Sequence, residues 1–374
     1  MPRCLHPVAL GPDYLTDGAE RATVTRIGIV GAGAAGAAAA YALETAGPDS
    51  RVTVLEKSGG LCGRAATRRR GDVTYDYGAN YVKADDERVV DLLTETLATD
   101  GLVDVAEPIW TFDGDGAVSE GRDADEHKWT YREGLTQIAK RLLERTDATV
   151  HRKTCVETIR QDSGTGTWQL EDASGDQWGP FDAVLLNPPA PQTADLLRDA
   201  DWESDGGLRE RIVDAISSVP YRTIWTGVFH YPFELEQPYY ALVNTDKAHE
   251  IGWIAREECK PGHVPDGETL LIVQANHEWS LERFDDDPDE ALEDLAELTA
   301  DVMDDERLLE PDWTAHQGWR YAQPEDGVDR EPIREAEAEG LYCLGDWVAG
   351  EGRLHAALRN GLETGERVTN TNSR

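Results

Sequence analysis

At 374 residues the chain is long enough for about two domains, and its 40% hydrophobic content allows a sizeable buried core. Its 73 acidic residues outnumber 36 basic ones, giving a formal net charge of -37, which argues against nucleic-acid binding through a general basic field. No run approaches the ~20 apolar residues of a membrane span.

Only seven of the basic residues are lysines. Acid-rich, lysine-poor surfaces are similar to those of salt-loving organisms, where molar salt shortens the Debye length to roughly 3 Å and screens self-repulsion. A basic partner docking on an acidic face is the competing reading, weakened because the acid is distributed and not gathered into a tail. Residues 1–23 lack the apolar core of a secretory signal and read as an N-terminal extension, so a cytoplasmic location is expected. Cys4, Cys62, Cys155, Cys259 and Cys343 are scattered, with no C-x-x-C spacing, which argues against a disulfide framework or a zinc site.

In chain order, VTRIGIV at 24–30 predicts a strand, GAGAAG a tight turn, and the alanine-rich stretch to Ala46 a helix broken at Gly47 and Pro48. RVTVL at 51–55 predicts a second strand ending at Glu56. Together they make a βαβ unit with a parallel sheet. An amphipathic helix is predicted at 132–146, then β-type segments near 149–159, 166–171 and 181–187. Residues 200–335 change character and hold six of the eleven tryptophans. Strands are predicted there at 222–230, 239–243, 250–254 and 269–275, and a helix at 288–304. LYCLGDW forms another buried strand, and 354–368 a closing helix.

The expected fold is therefore α/β: a Rossmann-like dinucleotide domain, discontinuous over 24–85, 132–195 and 336–370, plus an α+β substrate domain. The latter takes 86–131 and 196–335 and contains an antiparallel sheet.

Gly31, Gly33 and Gly36 fit G-x-G-x-x-G in the right context. The first permits the turn, the second admits the pyrophosphate to the backbone, and the third lets helix and strand pack. Ala35, in the first turn of the helix, belongs to the same cradle, where free N–H groups and the helix dipole favour phosphate. Glu56, twenty residues after Gly36, is placed to accept hydrogen bonds from a ribose, with Lys57 beside it.

The next stretch, GGLCGRAATRRRGDVTYDYGANY over 59–81, resembles the glycine-arginine signature of the flavin-dependent amine oxidase superfamily. Within that superfamily it is most similar to the renalase-like branch of FAD oxidoreductases, which pairs GGR-x-x-(T/S)-x-R with D-x-GAQY. WTYREGLTQIAKRL, FDAVLLNPPAPQTADLL, HQGWRYAQP and GLYCLGDWVAGEGRLHAALRNG resemble further segments of that branch, in collinear order from Thr25 to Val368. Cys62, Asn80 and Asn360 depart from its pattern. At position 62 a simple substitution competes with a redox-active or flavin-linked cysteine.

The resemblance implies FAD as cofactor. It places Gly63 and Arg64 beside the pyrophosphate and flavin, where a guanidinium grips phosphate oxygens, and the Val156 backbone at adenine. It puts Gly345 and Asp346 at the ribityl phosphate, and Arg353, Leu354 and His355 at the flavin edge, through backbone N–H groups. Asn80, Tyr81, Trp279, Trp319 and Tyr321 are the candidates to line the substrate side of the flavin. Arg68, Arg69 and Arg70 read equally as a solvated loop or as substrate contacts.

The branch implies oxidation of isomeric dihydro-NAD(P), with electrons passing to O2 to give H2O2. An amine oxidase or desaturase acting on another small molecule is the main alternative, and a non-catalytic flavin-binding redox sensor a third. Lys247 and Lys260, the only lysines after Lys153, both look like turn residues, which weakens the amine reading because many amine oxidases place a lysine near the flavin. No metal-binding spacing is evident.

Overall fold

The computed structural model describes residues 24–47, 50–121, 126–202 and 207–372; the expected N-terminal extension and the Pro48 break lie outside them. A five-stranded parallel sheet has the order β10-β2-β1-β14-β20. It is formed by β1 (Thr25–Val30), β2 (Ser50–Glu56), β10 (Thr149–Arg152), β14 (Ala183–Leu186) and β20 (Leu341–Cys343). These runs are apolar because the inner strands are buried on both faces: every residue of β14 is buried, and so is every residue of the edge strand β20. Helix α1 (Ala34–Ala46) follows β1.

The predicted strand at 149–159 is in fact two. β10 joins the parallel sheet, and β11 (Val156–Gln161) turns away to form an antiparallel layer with β12 (Trp168–Asp172) and β13 (Gln177–Phe181). A hairpin pairs β3 (Thr67–Arg70) with β4 (Val73–Asp76). A small sheet joins β5 (Val82–Lys83), β9 (Lys128–Tyr131) and β6 (Leu102–Asp104), crossing the domain division expected at residue 85.

The second large sheet has seven strands in the order β19-β15-β18-β17-β16-β7-β8. Its members are β7 (Ile109–Phe112), β8 (Val118–Ser119), β15 (Tyr221–Tyr231), β16 (Ala241–Asn244), β17 (Ile251–Arg256), β18 (Thr269–Ala275) and β19 (Trp313–Pro324). All its pairs are antiparallel except β16 with β7, which run parallel. The longest strand, β19, contains the HQGWRYAQP motif and was not foreseen as a strand. The remaining helices are α2 (Glu87–Asp91), α3 (Thr136–Leu143), α4 (Ala190–Arg198), α5 (Leu208–Ser217), α6 (His277–Glu282), α7 (Pro288–Met303), α8 (Arg330–Glu335), α9 (Asp346–Ala349) and α10 (Leu354–Asn372). No helix among the described residues is long and apolar enough to cross a membrane.

Helix α10 lies against α1 at very short range. A Cβ on Gly361 would fall 2.2 Å from the Ala35 carbonyl oxygen, and one on Gly365 would fall 2.7 Å from that of Ala39. The alanines of α1 and the glycines of α10 thus let two backbones touch, which fixes the start of α1 relative to α10. Gly361→Ala must push the helices apart, and overpacking of this kind costs about 1–3 kcal/mol. Thermal unfolding should register that loss.

Candidate active site

The site is built at the strand ends of the parallel sheet, where an open α/β fold binds its ligand. Gly31 takes a left-handed φ of +98, and a Cβ on Gly36 would lie 2.2 Å from the Gly31 carbonyl oxygen. That closeness seats the N-terminus of α1 tightly over the turn. Gly33 caps α1 without any side-chain bond, so the first N–H groups of the helix are left for a ligand. Glu56 is buried and positions the turn: its carboxylate accepts from the Ala32 and Ser58 N–H groups, each at 2.7 Å. Asn187, at the end of the apolar strand β14, donates from Nδ2 to the Gly31 carbonyl at 3.1 Å. Sequence reading overlooked it, although an asparagine between an apolar run and Pro188-Pro189 is a usable signal.

The chain after β2 folds back over this turn. Cys62 sits at a left-handed φ of 76, its N–H donating to the Ala32 carbonyl at 2.9 Å. This explains why a glycine suits the position in the resembling family. Burial pushes the Cys62 thiol up to about 12, so it is not a thiolate nucleophile.

Arg64 lines the cavity and is held on one side by protein groups. It forms a two-bond ion pair with Asp346, at 2.9 and 2.8 Å, and also donates to the Ala322 carbonyl at 2.8 Å. Two residues expected to touch the cofactor separately thus bind each other. The pair ties the loop to α9 and β19.

These elements surround a cavity of about 900 Å³, large for a ligand pocket. Of the expected site residues, Gly33, Ala35, Glu56, Lys57, Gly63, Arg64, Gly345, Asp346, Arg353, Leu354, Trp319 and Tyr321 line it. Gly31 and Gly36 shape the turn from behind. Val156 turns its side chain into the core beside Leu55 and Trp168. The His355 ring is buried off the cavity, 3.5 Å from the Glu351 carboxylate.

Three expected substrate contacts fall elsewhere. Trp279 packs edge-on against Trp225 at 6.0 Å, because α6 turns that face onto the sheet core. Tyr81 lies against Tyr240 and Trp253, and burial pushes its hydroxyl up to about 12. Asn80 is buried, its Nδ2 donating to the Gly78 carbonyl at 3.1 Å. In their place Tyr77 stacks on Trp319 with centroids 5.3 Å apart, and Gln274 donates to the Gly78 carbonyl at 2.7 Å. Arg68 also lines the cavity.

Strand β4, which leads into Tyr77 and Gly78, is anchored by four buried charges. Lys260 lies in the turn after β17, as expected, but its side chain is fully buried, with Nζ 2.5 Å from Glu257 and 3.3 Å from Asp76. His263 Nδ1 lies 2.7 Å from Glu257 and Nε2 2.9 Å from the Tyr131 carbonyl. Both partners accept, so both ring nitrogens carry protons and the ring is a cation. Two carboxylates and two cations therefore cancel. Asp76, Glu257 and His263 have donor atoms within 4.8 Å of one another, a spacing that suits a metal, but Lys260 already supplies the positive charge among them. Burial opposes the His263 charge, and the Glu257 carboxylate overrides it, raising the ring above its ordinary range.

The fold and the cavity together suit a dinucleotide ligand: a parallel sheet with a glycine turn and a buried acid at the end of its second strand, closed by an antiparallel sheet bearing aromatics. The chain matches the NAD(P)-binding Rossmann-like domain over residues 29–96 and the flavin containing amine oxidoreductase family over 116–369. It belongs to that amine oxidoreductase family and is an FAD-dependent oxidoreductase.

Among solved structures it is similar to a putative protoporphyrinogen oxidase from Exiguobacterium sp., at 18% identity and TM-score 0.73, covering 93% of this chain and 99% of the other. It is also similar to cyclohexylamine oxidase from Brevibacterium oxydans, at 14% identity and TM-score 0.68, covering 94% and 100%. A reduced UDP-galactopyranose mutase matches at 11% identity and TM-score 0.72, covering 94% and 95%. At these identities the likeness is one of fold. The residues present fit FAD, since the uncapped start of α1 and the first residues of α10 both open on the cavity.

Arg64→Ala leaves the Asp346 carboxylate, only 8% exposed, without its partner. Both FAD retention and melting temperature should fall, whereas a simple phosphate contact would lower retention alone. Lys260→Met strands two buried carboxylates against one cation and should cost about 3–5 kcal/mol in denaturant unfolding. The raised pKa of His263 means its contribution is complete below the unfolded value of about 6.5 and is lost as pH rises through the folded one. His263→Gln should abolish that alkaline decline in a pH series of unfolding curves.

Proposed function

We propose that this flavoenzyme is renalase-like and oxidises the 2- or 6-dihydro isomers of NAD(P)H to NAD(P)+, with O2 as electron acceptor and H2O2 as product. The observation that carries this reading is the chemistry of the cavity wall on the antiparallel-sheet side. Tyr77, Trp319, Tyr321, Ile224, Phe284 and Gln274 line it, with neither lysine, histidine nor carboxylate among them. Lys247 and Lys260 both lie off the cavity, and Lys57, beside Glu56, is its only lining lysine among the described residues.

Bound FAD supplies a two-electron acceptor. The wall then has to orient a flat ring and exclude water, which aromatic side chains do well. A dihydropyridine that loses hydride becomes an aromatic cation and gives up no proton, so a wall without a base suits it. The Gln274 amide keeps an unused oxygen that can meet a carboxamide. Oxidation of an amine is the competing reading, supported by the family itself. Against it, the lining of the cavity holds five basic residues and two acidic ones, a poor setting for an ammonium ion.

Anaerobic stopped-flow mixing separates the possibilities. The 2- or 6-dihydro isomers should bleach the flavin at least ~100-fold faster than ordinary NADH or any of a panel of amines. Fast bleaching by an amine would replace this reading, and slow bleaching by every donor would favour a redox sensor.

A further inference from the structure

The three arginines of β3 are set apart by what they do not touch. In a chain with twice as many acids as bases, Arg68, Arg69 and Arg70 have no carboxylate within ion-pair distance among the described residues. Each is held by neutral groups instead. Arg68 donates to Gln317 Oε1 at 2.8 Å and to the His316 carbonyl at 3.4 Å, with its guanidinium 4.2 Å above the centre of the Tyr77 ring. Arg70 donates to the Thr314 carbonyl at 3.3 Å and lies 4.5 Å above Trp313. Arg69, on the opposite face of the strand, donates to the Glu133 carbonyl at 2.8 Å.

Positions 68 and 70 share one face of β3. Arg68 lines the cavity, and Arg70 is exposed beyond it. Stacking on a ring and bonding to carbonyls fix a guanidinium without neutralising it. Arg68 thus keeps its full charge and unused N–H donors at the aromatic wall. The other cation on that side, Arg320, is at the rim and 3.5 Å from Asp285.

We propose that Arg68 is a specificity residue: the substrate carries a phosphate or carboxylate group that the Arg68 guanidinium binds, with Arg70 extending the positive track outward. The oxidised part of the molecule enters past Arg68 toward Trp319, and its anionic part stays at the β3 edge. This rests on the reading that the sheet-side wall receives the substrate. It is independent of which donor reduces the flavin.

The test is a titration of the oxidised holoenzyme, followed by the flavin absorption spectrum, at the lowest salt that keeps the protein folded. The probes are inorganic pyrophosphate, malonate and a neutral diol of similar size. Wild type should bind at least one anion and not the diol. Arg68→Gln should weaken that binding at least tenfold, and Arg68→Lys should weaken it less, because it keeps the charge and loses the fork. Pyrophosphate binding more tightly than malonate would identify a phosphate-bearing substrate, and the reverse a carboxylate.

Equal binding by wild type and Arg68→Gln, or no anion binding by yellow wild-type protein, overturns the proposal. So does loss of FAD from both variants, which would make Arg68 a structural support. Failure of the dihydronicotinamide isomers to bleach the flavin would leave the anion site standing, and loss of the anion site would leave the bleaching result unaffected.

Discussion

The arrangement of the two halves depends on a neutral set of four buried charges. Asp76 comes from the β3–β4 hairpin, and Glu257, Lys260 and His263 from the turn after β17. Asp76 also accepts from Thr67 Oγ1 at 2.6 Å, the Leu135 N–H at 3.0 Å and Thr130 Oγ1 at 3.3 Å. One carboxylate therefore gathers the hairpin, the small sheet, the start of α3 and the antiparallel sheet. A buried charge is tolerable only when its partners are all present, so the set is correct only when these segments meet in one register. The residues immediately after Asp76 are Tyr77 and Gly78, which form the cavity wall. The position of the aromatic stack on Trp319 is inherited from this junction.

A second constraint is electrostatic. The molecule is strongly anionic, yet its cavity is lined by more basic than acidic side chains. Its two lining carboxylates are both occupied, Glu56 by backbone N–H groups and Asp346 by Arg64. The uncapped start of α1 and the first turn of α10 add positive partial charge without side chains. The anionic surroundings therefore sharpen the contrast at the mouth, where a negatively charged ligand meets more basic than acidic side chains.

Local signals made half of this readable in advance. The strand, glycine turn, helix and Glu56 follow one another within about thirty residues, and their geometry is set by neighbours in sequence, so the dinucleotide site was legible. Trp319 and Tyr321, singled out through the motif that contains them, do line the cavity. The misses share a cause. Trp279 and Tyr81 are aromatics whose direction is decided by which face of their element meets another sheet. Lys260 does sit in a turn, but its burial was hidden because its partner Asp76 is 184 positions away. The pairing of Arg64 with Asp346, 282 positions distant, gave no local sign either. Charge pairing across such separations has no signature in either segment alone.

The contact between α1 and α10 has a bearing on how the molecule is made. The glycine turn and α1 leave the ribosome early, but their packing partners β20 and α10 emerge roughly 300 residues later, about 15 to 60 s at ordinary synthesis rates. Throughout that interval the part of α1 that meets α10 has nothing to rest against, and the cofactor cradle lacks its last wall. The nucleotide-binding half is therefore an early starter and a late finisher. The antiparallel sheet, contained mostly between residues 221 and 324, can assemble before it is complete.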